Sequence, residues 1–280
     1  LDRDLQWSTL NAFQKRGMED GAAIAIENSS GDVFAYVGST AAGRDPVKDL
    51  AGDARVAGLT LKPFLFAKAL DERTLTASTV IDEKPEEIRL RKAVQTNLKL
   101  PAIRALELVG VETFVQTLNE LGFAGLKGPE FYGPSLALGL ADVRLIDLAN
   151  AYRALANKGE WSHIKFSPLE ISEQAPRRVF SEGAAFIISQ MLQESVPGQP
   201  WMAVYCDQWC AGFSEKYTVA VANGGKEVWR EIMNSLHRSE DSQAPLAPTG
   251  LRQRSGEWFL DGTDTETKVL PKAQAGVGSR

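Results

Sequence analysis

Two apolar runs, Ala22–Glu27 and Asp32–Val37, flank Asn28-Ser-Ser-Gly31. Those turn residues tolerate the backbone angles of a tight reversal, so the pattern predicts a β-hairpin. A Gly- and Asp-rich loop follows from Gly38 to Gly58, and Thr60–Leu70 then reads as a helix with Pro63 in its first turn, where proline is tolerated. Pro101–Val109 and Val111–Leu121 are further helices, with Gly110 and Gly122 as stop signals. Asp142–Asn157 carries the clearest helical period, with apolar residues at Val143, Ile146, Ala149 and Leu155 and Gly159 just past its end. Ser181 reads as the N-cap of a helix through Leu192. Met202–Cys206, Trp209–Phe213 and Tyr217–Ala222 are short strand-like runs, and Val228–His237 is a closing helix.

Strands thus come first and last with helices between. The pattern predicts an α+β fold in which one antiparallel sheet joins both chain ends, with helices on both sides and a helical lobe. After His237 the composition shifts to Ser, Pro, Gly and charge. The expected division is a domain over residues 1–237 and, over 238–280, a linker with one strand at Glu257–Leu260.

Composition changes this picture little. The chain has 280 residues, 44% hydrophobic and 24% charged, which supports a sizeable globular core. The net charge of −5, without a long basic run, argues against a nucleic-acid partner, which needs a concentrated positive face. No apolar segment is long enough to predict a membrane span. The chain opens at Leu1 rather than Met and has the look of a processed or excised piece, so its address is not readable directly.

The order of local sequences resembles the transpeptidase domain of class A penicillin-binding proteins, the 1C type most closely. The resemblance begins at Leu1-Asp-Arg-Asp-Leu-Gln6 and runs to about Thr263. It continues through the hairpin Ala23–Glu27 to Phe34–Gly38, then Leu61-Lys-Pro-Phe-Leu65, Leu100-Pro-Ala-Ile103, Leu148–Asn157, Tyr217-Thr-Val-Ala-Val221 and Glu257–Gly262. Such a domain needs Ser-x-x-Lys, Ser-x-Asn and Lys-Thr-Gly motifs. The serine opens a helix one turn before the lysine, the second motif completes the proton relay, and the third lies on a sheet strand that grips the substrate.

At those positions the chain reads differently. The first motif aligns with Gly58-Leu-Thr-Leu-Lys-Pro-Phe64, so Leu59 falls on the nucleophile position and Lys62 on the lysine. Thr60 is rotated by about 100° around the helix relative to that position and reads as a helix-start residue. The second motif aligns with Asn97-Leu98-Lys99, and the third with Met202-Ala203-Val204, an apolar stretch after Trp201. The segment Ser195–Trp201 is shorter than the family's, which implies a trimmed cleft wall. These positions are vestigial on this reading, with no catalytic residue, metal or cofactor.

The resemblance therefore implies an inactive transpeptidase-like module outside the cytoplasm, serving peptidoglycan synthesis or envelope organisation through a protein partner. Members of the family commonly carry a glycosyltransferase domain upstream and a membrane anchor. An alternative is a remnant cleft that binds a peptidoglycan stem peptide, with Lys62 and Lys99 attracting its carboxylate. A further alternative is an active D,D-transpeptidase with relocated residues. On the inactive reading the pocket is closed by Leu59, Met202 and Val204. Lys62 then needs a carboxylate or backbone carbonyls, or Lys99 turns out to water.

Other candidates have bland readings. Ser162-His163-Ile164-Lys165 is a Ser-x-x-Lys but follows a helix stop rather than opening a helix. His163 and His237 lack metal-ligand spacing, and a zinc site on Cys206 and Cys210 wants two more ligands. If the turn at Asp207-Gln208 has two residues the cysteines face opposite ways; if it has three they face each other and can bridge. Trp161, Trp201, Trp209, Trp229 and Trp258 read as core.

Overall fold

A computed structural model describes residues 1–18, 20–40, 49–83, 86–167, 169–170, 174–194, 201–265 and 267–270. At its centre is a six-stranded sheet in the order Val33–Val37, Ala22–Glu27, Tyr217–Ala222, Trp209–Phe213, Met202–Cys206, Gln193–Glu194. Every neighbouring pair is antiparallel. The strands from the two chain ends meet in the middle, where Ala22 pairs with Ala222 and Glu27 with Tyr217.

Both sheet faces are covered, which explains why the strands read as nearly unbroken apolar runs rather than as alternating ones. Along Ala22–Glu27 successive side chains still go to opposite layers. Ala22, Ile24 and Ile26 join the main core, while Ala23 and Ala25 join a smaller one. The smaller core lies under the helices Arg3–Gln14 and Gly225–Leu236, and Phe13, Trp229 and Met233 fill it. Trp229 also donates its indole N–H to the Val219 carbonyl at 3.0 Å. The other face carries the helices Leu145–Ala156 and Glu182–Leu192, with Lys62–Asp71 behind them and Lys99–Val109 and Val111–Glu120 forming the helical lobe.

The structure differs from the sequence expectation at several places, beginning with the unforeseen helices Arg3–Gln14 and Leu90–Gln95. Residues Asp142–Val143 are extended, pairing with Arg55–Val56, and the helix opens only at Leu145. Two short strands, Val80–Glu83 and Glu86–Arg89, form an antiparallel pair in a stretch that reads as featureless, because its charged residues hide the pattern. The region expected as linker holds a hairpin, Leu251–Arg254 with Glu257–Leu260. Phe259 of that hairpin is buried in the main core, and Glu257 forks onto Arg91 with both bonds at 2.7 Å. Val269–Leu270 then adds in parallel to Val80–Ile81. Among the described residues no helix is long and apolar enough to cross a membrane.

Candidate functional site

The turn into the site helix depends on two glycines. Gly58 and Gly139 both have positive φ, +60° and +70°, and a Cβ on Gly139 would fall 1.6 Å from the Gly58 carbonyl oxygen. That close approach fixes Gly58–Leu61 as a single 3₁₀ turn running into the helix Lys62–Asp71, with Pro63 in its first turn. Leu59 is buried at the start of this unit, which packs against the strand Trp209–Phe213. Thr60 is fully buried; its hydroxyl donates to the Ala57 carbonyl at 2.5 Å, and its own carbonyl accepts from Tyr152.

Lys62 is 1% exposed. Its ammonium donates to the carbonyls of Ala93, at 2.7 Å, and Thr96. These belong to the end of the helix Leu90–Gln95 and the residue after it. The Nζ also lies 4.8 Å from the centroid of the Tyr205 ring. Burial pulls its pKa from 10.5 down to about 7, with Asp207 opposing the shift. The Tyr205 hydroxyl is pushed well above its ordinary value by burial and then by Asp207.

The middle segment bridges two helices. Asn97 sits in the extended link between Leu90–Gln95 and Lys99–Val109 and is exposed. Its amide oxygen accepts from the Tyr205 hydroxyl at 2.9 Å, and its amide nitrogen donates to Asp207 Oδ1 at 3.2 Å. Asp207 completes the circuit, because its Oδ2 accepts from the backbone N–H of Leu59 at 2.8 Å. A carboxylate at the open N-terminal end of a helix is electrostatically favoured. Leu59, Lys62 and Asn97 thus converge on one place, and the residues joining them are Tyr205 and Asp207.

Two expectations about this site need correction. Met202 and Val204 do not close it: both pack in the smaller core beneath the terminal helices, on the other face of the sheet. Only Ala203, with Tyr205, faces the main core, as strand alternation requires. Lys99 does not share the pocket with Lys62. It opens the helix Lys99–Val109 and is exposed to water, so carbonyl ligands for Lys62 and an outward Lys99 occur together. The trimmed stretch Ser195–Pro200 lies outside the described residues.

The remaining candidates have other work. Ser162 accepts from Arg153 at 2.9 Å, and Lys165 pairs with Asp32 at 3.3 Å. Cys206 and Cys210 pair in register across their strands and are joined as a disulfide. The three-residue geometry is therefore the one adopted, and neither sulfur is a free thiolate for a metal. Trp161, Trp201, Trp209 and Trp229 are buried, and Trp258 is half-buried. Sequence reasoning missed Tyr205 and Asp207; the available signal was that Asp207 begins the turn between two cysteines.

A two-faced antiparallel sheet joining the chain ends, backed by a site helix and a helical lobe, is the fold of penicillin-binding-protein transpeptidase domains. The transpeptidase domain of penicillin-binding protein 3 from Burkholderia pseudomallei superposes with a TM-score of 0.71 at 19% identity, covering 88% of this chain and 97% of that one. PonA1 from Mycobacterium tuberculosis, in complex with penicillin V, gives 0.73 at 16% identity, covering 92% and 89%. The chain is homologous to penicillin-binding protein 1C of Escherichia coli, with 24% identity over 331 aligned positions covering 92% of this chain. It is likewise homologous to penicillin-binding protein 2D of Bacillus subtilis, at 24% identity over 81% of this chain. It spans 43% and 42% of the length of those two relatives. No protein-family model matches it.

Proposed function

We propose that this chain is a catalytically inactive transpeptidase-like domain, acting outside the cytoplasm as an interaction module in peptidoglycan synthesis or envelope organisation. The observation that carries this reading is the Leu59 position. An alkyl side chain stands where the resemblance places the nucleophile, and its backbone N–H is already bonded to Asp207 at 2.8 Å. Acyl transfer needs a nucleophile and a base in hydrogen-bond reach of it. Lys62, the surviving base, has its donors on the Ala93 and Thr96 carbonyls, and the hydroxyl of neighbouring Thr60 faces Ala57. The 1C-type relative and the penicillin-bound structural neighbour supply the context of the cell wall, and a protein partner there supplies the use.

The test is turnover and binding of a D-alanyl-terminated pentapeptide. The reading expects neither release of D-alanine nor saturable binding. The runner-up, a stem-peptide-binding cleft, requires saturable binding that is lost in Lys62→Met combined with Lys99→Met. The outward direction of Lys99 and the filling of the site by Tyr205 and Asp207 favour the first reading. Release of D-alanine would establish an active transpeptidase instead.

A further inference from the structure

The contact that closes the site is made by a turn with a covalent staple at its base. Asp207 and Gln208 are exposed, and Asp207 follows Cys206 directly. The Cys206–Cys210 bridge joins the two strands at the last paired position before the turn, with Cα atoms 4.1 Å apart. The turn keeps one further backbone bond, from Asp207 N–H to the Trp209 carbonyl at 2.9 Å. Beyond that, among the described residues the side-chain hydrogen bonds that hold the turn against the site are the two of the Asp207 carboxylate, to the Leu59 N–H and to the Asn97 amide. Asn97 is exposed as well. The Asn97 bond lies at the wet surface, where such bonds are individually weak, and the Leu59 bond is part-buried but its carboxylate sits on an exposed residue. Their persistence therefore depends on how far the bridge restricts the turn.

The bridge also lies apart from the site it secures. Cys210 is buried in the smaller core and Cys206 is half-buried against it, on the sheet face opposite the main core that takes Ala203, Tyr205 and Leu59. A reductant reaches Cys206 without entering the cleft.

We propose that the Asp207 turn is a latch over the remnant cleft, and that the Cys206–Cys210 bridge sets it, so that a dithiol reductant frees the Leu59 N–H at the start of the site helix. The inference rests on reading this place as a transpeptidase-type cleft. The step balances as a two-electron exchange. A thiolate of the reductant attacks one sulfur, its second thiolate resolves the mixed disulfide, and Cys206 and Cys210 leave as thiols with one proton each while the reductant becomes a cyclic disulfide.

Hydrogen exchange tests the latch on the whole chain. The samples are the oxidised protein, the protein reduced by dithiothreitol, Cys206→Ser with Cys210→Ser, and Asp207→Ala. At the Leu59 amide, exchange should rise at least tenfold in the last three samples relative to the first. The amide of Ile24 at the sheet centre should keep its protection in the same three. Dithiothreitol should add nothing to the double serine variant. Unchanged Leu59 exchange in protein whose mass shows two free thiols would overturn the proposal. Equal loss of protection at Leu59 and Ile24 would overturn it too, because the bridge would then support the whole sheet and not the turn. A β-lactam adduct on reduced protein would sink the inactive reading and leave the latch result standing.

Discussion

Replacing Lys62 by methionine should change how stability depends on pH, not merely lower it. The folded protein holds this ammonium at a pKa of about 7, against 10.5 for a free lysine, because burial penalises the charge. Between those values the unfolded chain binds more protons than the folded one, so stability rises with pH through that window. The contribution is fully present above the unfolded value and is lost as pH falls through the folded one. Each pH unit inside the window is worth about 1.4 kcal/mol. From pH 7 to pH 9 the wild type should therefore gain about 2 kcal/mol over Lys62→Met, after allowing for half-protonation at the lower end. Losing the bonds to the Ala93 and Thr96 carbonyls adds a roughly constant offset of about 1–3 kcal/mol and leaves the slope alone. Urea unfolding of both proteins at several pH values between 6 and 9.5 measures the difference directly. A wild-type-minus-variant difference that stays flat from pH 7 to 9 would refute the claim that burial of Lys62 outweighs its carbonyl partners and Asp207.

Lys99→Met, by contrast, should move stability by no more than about 0.5 kcal/mol and leave that pH profile intact, since Lys99 is exposed. Gly139→Ala should cost at least about 3 kcal/mol in chemical unfolding, because φ is +70° there and the new Cβ meets the Gly58 carbonyl. Trp229→Phe should cost about 1–3 kcal/mol by thermal unfolding, through loss of the buried indole bond to the Val219 carbonyl and of part of the ring that fills the smaller core.

The main sheet was legible because its signals are local. Alanine, valine and isoleucine runs at Ala22–Glu27 and Tyr217–Ala222 specify strands whichever neighbours they acquire, and their pairing follows once both ends are assigned to one sheet. Ser181 likewise caps its helix as its position suggests, accepting from the Ala184 N–H. The start of the helix at Leu145 was misplaced because Val143 fits the helical period, yet its backbone is committed to Arg55. Tertiary pairing overrode a local pattern there. The hairpin at Leu251–Leu260 was only half seen, because Leu251–Arg254 is mostly polar and exposed and its partner strand holds the buried Phe259.

The site was legible as positions but not as contacts. Sequence order brings Leu59, Lys62 and Asn97 to one place on the strength of the resemblance, and nothing local tells which face of Met202–Cys206 looks at them. A shift of one residue exchanges the faces of a strand, which is why Met202 and Val204 were expected in the cleft and Tyr205 was not. Asp207 was hidden further, since a turn carboxylate bonding to a backbone N–H 148 positions away has no sequence signature.

Intact mass after prolonged incubation with excess benzylpenicillin tests the central claim most directly, because it asks whether any side chain in this cleft can attack an acyl carbon. The wild type should keep its mass, and so should Leu59→Ser, whose new hydroxyl would still face a Lys62 bonded to carbonyls and a strand without the Lys-Thr-Gly sequence. A stable mass increase equal to one opened β-lactam on the wild-type chain, mapped to a residue of this cleft, would contradict the account.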